Sequence, residues 1–360
     1  MSNYRVLITG IGGNIGQGIL KSLRATGRPF EITGVDMEPL SAGFFLADHY
    51  ERVSRSTDPA FRNELAGLVG RHGIGAIYAS SPSELEFFGA NRHELERELG
   101  VTIFVNPLDV IRTGSDKLLT AQFLERHGLP YIPTALGTDA RALGKLIRDF
   151  GFPLIVKPRR GFSSHNVFLV HSRREVESAC KLVPDMVVQR YVADPFWEYT
   201  SGTVSGGDGK VRAVITLHRR LIQGTTYQTE LVQDEAMERE VVRVVEALGA
   251  TCVCNLQFRM LDGRMYIFEI NPRFSGTCGI RYLYGFNDPE MAFDLLHLKR
   301  EVSQPEIRPS VVLRYWNEVL VPGASFADLQ AGGPKREGVS IQLPNPAAAR
   351  PPRLEAYSEP

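Results

Sequence analysis

The sequence lacks a net charge. Its 41 basic and 41 acidic side chains balance over 360 residues, and no basic block breaks that balance. Nucleic acid and anionic membrane are thereby excluded as main partners, since either needs a concentrated cationic surface. No apolar run approaches the ~20 residues of a membrane span. A strand pattern begins at once, at Arg5 to Thr9, so no signal peptide is expected. Cysteine is scarce: Cys180, Cys252, Cys254 and Cys278 are the four. Cys252-Val-Cys254 has alternate strand spacing, not the two-residue gap of a zinc knuckle. Reduced, mostly buried thiols and a cytoplasmic location are the expectation. A Ser-His-Asp arrangement is missing as well, so no nucleophilic side chain is expected to act.

What is present suggests more than one domain, because 360 residues are long for a single core. Up to about residue 110, strand and helix signals alternate. Strands are expected at Val6–Ile8, Glu31–Val35, Ala76–Tyr78 and Thr102–Val105, with helices at 17–25, 59–71 and 83–99. Repeated βα units imply a parallel sheet covered on both faces. Gly10, Gly13 and Gly16, then Asp36, match the dinucleotide fingerprint and resemble the opening of short-chain dehydrogenases. Such enzymes need Tyr-x-x-x-Lys, and none of the twelve tyrosines has Lys at that spacing.

Asn106-Pro107 marks a boundary. A helix follows from Thr113-Gly-Ser-Asp-Lys117, with Ser115 or Thr113 able to cap it. Residues 131–189 read as a small α+β lid with helices 139–150 and 173–182. Pro153 to Pro158 is an apolar strand ending in Lys157, whose charge needs a counter-charge or a site edge. The loop Pro158 to His165 offers backbone N–H groups and hydroxyls that suit phosphate. Val211 to His218 is a strand delivering Arg219-Arg220 toward phosphates or a substrate carboxylate, or into solvent. Helix 234–248 stops at Gly249, helix 288–299 and a strand at 311–315 follow, and the Pro/Ala-rich stretch 344–360 is expected to be disordered or loosely attached.

The most informative stretch is Asn255-Leu-Gln257-Phe to Phe268-Glu269-Ile-Asn271-Pro-Arg273. It reads as two strands joined at Asp262-Gly263. Residues two apart in a strand share a face, so Glu269 and Asn271 project together. A carboxylate and two amide oxygens are hard ligands that suit magnesium touching phosphates. A two-residue turn would pair Gln257 with Phe268 and turn Glu269 away. One metal shared by Gln257 and Glu269 therefore requires an odd-length loop or a bulge near 262–264.

This Gln … Glu-x-Asn-Pro-Arg pattern resembles the metal-binding signature of the ATP-grasp superfamily, most closely its carbamoyl-phosphate-synthase-like branch. The resemblance spans roughly residues 1–300. It implies a Rossmann-like pre-ATP-grasp domain at 1–110, whose glycines pack a helix on the sheet and bind no dinucleotide. An α+β ATP-grasp domain at 111–300 with a mobile lid (131–189) and a C-terminal extension at 301–360 complete it. The activity implied is ATP-dependent ligation: a carboxylate, of an amino acid or similar small acid, becomes an acylphosphate and is joined to an amine, with ADP and phosphate released. The cofactors implied are ATP and two Mg2+, with Mn2+ an acceptable substitute. Gln257, Glu269 and Asn271 are the metal ligands; Lys117 and Lys157 contact phosphates; Ser163, Ser164 and His165 stand in the phosphate loop. Gln189, Arg190, Tyr191 and Val192 form the adenine-reading hinge, and Glu198 reaches ribose. Arg273, Lys157 and Arg220 are the candidate catalytic residues, and the loop Ser80 to Glu84 shapes a substrate pocket. Two departures stand out: the phosphate loop has one glycine, Gly161, and Gly202 replaces an acidic residue. The partners expected are small-molecule substrates and a second copy of the chain in a homodimer. An NAD(P)-dependent oxidoreductase and a non-catalytic ATP-binding protein are the competing readings.

Overall fold

The computed structural model describes residues 3–161, 166–192, 197–332 and 339–341. Residues 1–314 form one compact unit and 315–360 a second.

The first five strands are β1 (Tyr4–Thr9), β2 (Phe30–Asp36), β3 (His49–Arg52), β4 (Ala76–Tyr78) and β5 (Thr102–Phe104). They pair in parallel in the order β3-β2-β1-β4-β5. Their connections carry α1 (Asn14–Arg24), α2 (Gly43–Leu46), α3 (Phe61–His72) and α4 (Leu85–Leu99). The near-continuous apolar runs of β1, β2 and β4 fit a sheet buried on both faces. Gly16 sits so close to the Gly10 carbonyl that a Cβ there would meet it at 2.6 Å, which is why the turn into α1 needs glycine.

Two helices follow where one was expected. α5 (Leu108–Ser115) runs into α6 (Lys117–Arg126), separated by the extended Asp116. Neither Ser115 nor Thr113 caps α6; Asp116 does, accepting from the Leu118 and Leu119 N–H groups. Pro107 stands at the cap position of α5, its fixed φ favouring helix onset directly after the boundary.

A four-stranded antiparallel sheet comes next: β6 (Thr134–Leu136), β7 (Leu154–Pro158), β8 (Phe168–Val170) and β9 (Met186–Arg190), in the order β6-β9-β7-β8. α7 (Ala140–Phe150) and α8 (Arg173–Leu182) cover it, and Leu143, Leu146, Leu154, Val156, Val176 and Val188 form its separate core.

The third sheet holds β10 (Glu198–Ser205), β11 (Val211–Ile222), β12 (Thr225–Val232), β13 (Val253–Leu261), β14 (Arg264–Asn271) and β15 (Val311–Leu313). Its order is β14-β13-β10-β11-β12-β15. α9 (Glu235–Leu248), ended by the left-handed Gly249, packs Met237, Val241, Val244 and Val245 against it. α10 (Cys278–Arg281) and α11 (Asp288–Ala292) follow, and the expected helix over 288–299 continues past α11 as a π-helical turn at Phe293–His297. β11 runs to Ile222, so Arg219 and Arg220 lie within a strand rather than at its end.

The expected boundary near 110 is not a break in packing. Ile8, Ile15 and Ile19 share one buried cluster with Ile215, Phe274 and Phe293. Gly18 on α1 approaches α10 so closely that a Cβ would meet Cys278 Sγ at 2.8 Å. The four cysteines are free; Cys252, Cys254 and Cys278 are buried and Cys180 partly so. In the second unit β16 (Val319–Leu320) pairs with β17 (Ser340–Ile341), and residues 344–360 lie outside those described. No helix among the described residues is long and apolar enough to cross a membrane.

Candidate functional site

The hairpin β13–β14 carries the signature residues. Asp262 and Gly263 have φ of 51° and 72°, as in a type I′ turn, and Leu261 pairs directly with Arg264. The turn is therefore a plain two-residue one, not the longer loop offered as an option. A bulge does occur, but five residues farther along: Phe258 pairs with Ile267 and Gln257 with Glu269, leaving Phe268 as the extra residue. The required juxtaposition of Gln257 and Glu269 is present. Asp-Gly already satisfies the tight turn, so the extra residue is absorbed in the strand instead.

Two cavities, each about 620 Å3, meet at this pair, and Gln257 and Glu269 line both. The second cavity is walled by Lys117, Lys157, Gly161, Gln189 to Val192, Glu198 and Phe268. The first is walled by Gly10, Gly13, Asn14, Asp36, Ser80 to Glu84, Arg219, Asn255, Asn271, Arg273, Ser275 and Thr277. The Ser80 to Glu84 loop thus reaches the same space as the signature. The expected phosphate-loop residues Ser163, Ser164 and His165 lie outside the described residues.

Two lysines face the second cavity. Asp116 fixes the first: its carboxylate caps α6 and pairs with Arg159 at 2.9 Å, while the Lys117 N–H donates to the Arg159 carbonyl. Burial pushes the Asp116 carboxyl up, but Arg159 and the capping N–H groups together hold it below its usual range. Lys117 Nζ donates to the Gly161 carbonyl at 3.0 Å. Lys157 is buried, with Nζ 5.0 Å from the centre of the Phe268 ring. Burial, and then Lys117, push its ammonium down to about 7.

The hinge segment packs between sheets. Gln189 Nε2 donates to Thr134, Arg190 stacks on Tyr266 and bonds its hydroxyl at 2.9 Å, and Arg259 donates to the Val192 carbonyl. Glu198 is buried and pairs with Arg219 at 2.6 Å, directly across the β10–β11 ladder. Arg219 also donates to Thr226 at 2.8 Å. Strand alternation turns Arg220 away: it is exposed and lines neither cavity, so the basic residue of the pair that reaches the site is Arg219. The strand parity of Arg219-Arg220 was the signal for this, masked by ending the strand too early.

Asn271 Nδ2 donates to Glu269 Oε1 at 2.8 Å, and Arg273 donates to Asn271 Oδ1 at 2.9 Å. Burial pushes the Arg273 guanidinium down, with Glu269 opposing. Glu269 Oε2 and the Gln257 amide have no side-chain hydrogen bond among the described residues. Hard oxygens are thus left facing the junction of the cavities. Glu84 also lines the first cavity; burial pushes its carboxyl up to about 7 although Thr9 donates to it at 2.5 Å. Asp36 spends Oδ2 on the Gly12 N–H at 2.8 Å and Oδ1 on the Glu38 N–H, so the acid that a dinucleotide would use for its ribose instead braces the turn.

Two family models match overlapping stretches. Residues 114–196 match a RimK-like ATP-grasp domain, and residues 182–319 match the family described as ATP-grasp in the biosynthetic pathway with Ter operon. The arginine-specific carbamoyl phosphate synthase large chain of Geobacillus stearothermophilus is 25% identical over 195 residues, 51% of this chain and 18% of that one. The carbamoyl phosphate synthase large chain of Thermotoga neapolitana is 24% identical over 302 residues, 76% of this chain and 26% of that one. The chain thus spans about a quarter or less of the length of these relatives. Among solved structures, N5-carboxyaminoimidazole synthetase from Staphylococcus aureus superimposes with a TM-score of 0.67 at 16% identity, covering 86% of this chain and 82% of that one. L-amino acid ligase from Bacillus licheniformis does so with 0.64 at 18% identity, covering 90% and 82%. The fold is the ATP-grasp fold.

Proposed function

The chain belongs to the ATP-grasp superfamily, on its carbamoyl-phosphate-synthase-like branch, and from that premise we propose that it is an ATP-dependent carboxylate–amine ligase. The observation that carries this is the wall shared by two cavities. Gln257 and Glu269 face both, so a nucleotide in one and an acid in the other would meet at them.

On this proposal the second cavity takes ATP. Residues 189–192 read adenine through their backbone, Glu198 faces ribose, and Lys117 and Lys157 hold the phosphates. The four-stranded sheet and its helices, residues 131–189, act as a mobile lid. Residues 1–110 are the Rossmann-like pre-ATP-grasp domain and 111–300 the ATP-grasp domain; of the expected extension 301–360, β15 joins the third sheet, so the extension proper is 315–360. That structures similar in fold are described with bound ADP, or with MgADP, supports this choice of ligand.

Among the described residues no three His, Cys, Asp or Glu side chains cluster as a metal site. Glu269, Gln257 and Asn271 are one carboxylate and two amides, and a free carboxylate oxygen and a free amide remain to them. Such a set fits Mg2+ or Mn2+ arriving with phosphate oxygens rather than a resident ion. One or two ions bound there would neutralise charge on the transferring phosphoryl group.

The acid's carboxylate, held by Arg273 in the first cavity, attacks the γ-phosphorus; ADP leaves, and an acylphosphate forms. An amine then attacks the acyl carbon and phosphate departs. The protein contributes alignment and fixed positive charge, which is most of what phosphoryl transfer requires. Arg suits this position because its fork meets two oxygens at once. Small acids, amino acids foremost, are the substrate class, and a homodimer is the proposed assembly.

The test is ADP release from MgATP against a panel of small acids, each with and without an amine. Release that depends on one acid is the expected outcome, and Glu269→Gln should lower it by at least about 10²-fold, the scale of losing one preorganised electrostatic contact. Release that no acid stimulates, or that Glu269→Gln leaves unchanged, removes the assignment.

A further inference from the structure

Asn255 lies on β13 opposite Asn271, two pairs beyond Gln257–Glu269, and lines the first cavity but not the second. It is 1% exposed. Its neighbours fix which way its amide points. Oδ1 accepts from Thr200 Oγ1 at 3.0 Å and also from Arg281 Nη2. An atom that takes two donors is the oxygen, so the remaining atom is Nδ2. That nitrogen is buried and has no partner among the described residues. Buried donors are nearly always paired, so this one, in a cavity wall, points to an acceptor that a ligand brings.

Arg281 holds the amide in place. It is 1% exposed and pairs with the fully buried Asp288 at 2.7 Å. Besides Asn255, its Nη2 donates to Ser275 at 2.9 Å and Thr277 at 3.0 Å, both of which line the same cavity. Gly202 makes room: a Cβ there would overlap the guanidinium. The missing side chain at Gly202, which had no role in the sequence, is thereby accounted for.

Granting the ligase reading, on which this assignment rests, we propose that Asn255 Nδ2 donates a hydrogen bond to a carboxylate oxygen of the acid substrate. Arg281, pinned by Asp288, is the positioning residue that keeps this donor aimed. Of the charged residues that line the cavity with it, Asp36, Glu84 and Glu269 are acidic and Arg219 is paired with Glu198, so the acceptor that Asn255 Nδ2 and Arg273 can share is an anionic oxygen. No additional chemical step is involved.

Acetate, the smallest convenient carboxylate probe, can be titrated into the MgADP-saturated protein at constant ionic strength. Binding is read by calorimetry and by the side-chain amide resonances of protein labelled with 15N-asparagine. Acetate should shift one amide pair that is missing from the Asn255→Asp spectrum. Asn255→Asp exchanges the donor for an acceptor of nearly the same shape and should weaken acetate by at least about tenfold. Gly202→Ala displaces the guanidinium without deleting a polar group and should weaken it about fivefold. Arg281→Lys keeps a charge for Asp288 but cannot fork to Asn255 as well, so it should fold and still bind acetate weakly. MgADP affinity should stay within about twofold in all three, because the nucleotide occupies the other cavity. Acetate affinity unchanged in Asn255→Asp, or MgADP binding by the wild type with no acetate effect, overturns this assignment alone. A wild type that does not bind MgADP overturns the ligase reading, and this assignment with it.

Discussion

Lys157 shows what a single residue contributes. It is held in an apolar strand end against Phe268, and its ammonium is depressed to about 7 by burial and by Lys117. In the unfolded chain a lysine titrates near 10.4. The unfolded state therefore binds more protons between about 7 and 10.4, and this group's contribution makes the free protein more stable as pH rises through that window. Nucleotide phosphates reverse the balance, because they favour the charged form. MgADP binding should then take up a proton, and its affinity should fall above pH 7 by up to about tenfold per unit. Calorimetry in buffers of different ionisation enthalpy measures the proton directly. Lys157→Arg should retain binding and flatten the profile; a wild-type profile flat from pH 7 to 9 would contradict the assignment. Lys157 was legible in the sequence because a lysine closing an apolar run demands an explanation. Asn255 was not: an amide in a strand has no period or spacing that says which of its atoms lacks a partner. That emerges only once Thr200 and Arg281, distant in sequence, are seen to share its oxygen.

Among the elements, the β13–β14 hairpin was nearly complete in the sequence. Asp262-Gly263 specified the turn, and the parity conflict between Gln257 and Glu269 specified that one extra residue must exist. The position expected for it, near 262–264, did not hold, because alternation counts residues without saying which pair absorbs the surplus. The bulge at Phe268 puts two consecutive side chains, Phe268 and Glu269, on the cavity wall, where a regular strand would present one. Phe268 is thus free to seat the Lys157 ammonium while Glu269 faces Gln257. Phe268→Ala should weaken MgADP about fivefold, the scale of a partly buried cation–π contact, whereas Phe268→Tyr should leave it near wild type. Equal affinity for all three proteins in a fluorescence titration would show that the ring is only packing. Arg219-Arg220 illustrates the opposite case. The strand runs past both, which turns Arg219 inward onto Glu198 and Arg220 to solvent. Stopping the strand at His218 hid the parity that chooses between them.

For the whole molecule, the order of elements was legible and their mutual burial was not. Local patterns mark Asn106-Pro107 as a boundary, yet the structure uses Asn106 as a joint. Its buried amide donates to the Val253 and Pro272 carbonyls and accepts from the Thr251 and Cys252 N–H groups, tying the end of the parallel sheet to the signature hairpin. Above it α1 packs on α10, and Ile8 and Ile19 share a core with Ile215, Phe274 and Phe293. The first cavity likewise takes walls from both parts, Gly10 and Ser80 from one and Arg273 and Thr277 from the other. A fragment covering residues 111–314 would therefore expose the apolar surface that α1 and the parallel sheet now cover, and would lose Asn106. Apolar burial contributes about 25 cal/mol per Å2 against a margin of ~5–15 kcal/mol for a typical domain, so uncovering this shared core should destabilise the fragment. The fragment should bind a hydrophobic dye and be degraded in limited proteolysis, while the intact chain should unfold residues 1–314 in one cooperative step. Co-expression with residues 1–110 should restore protection. A soluble, protease-resistant 111–314 fragment that binds MgADP with full affinity would show instead that the nucleotide half stands alone. The parallel sheet would then be a substrate-side attachment, not part of one folding unit.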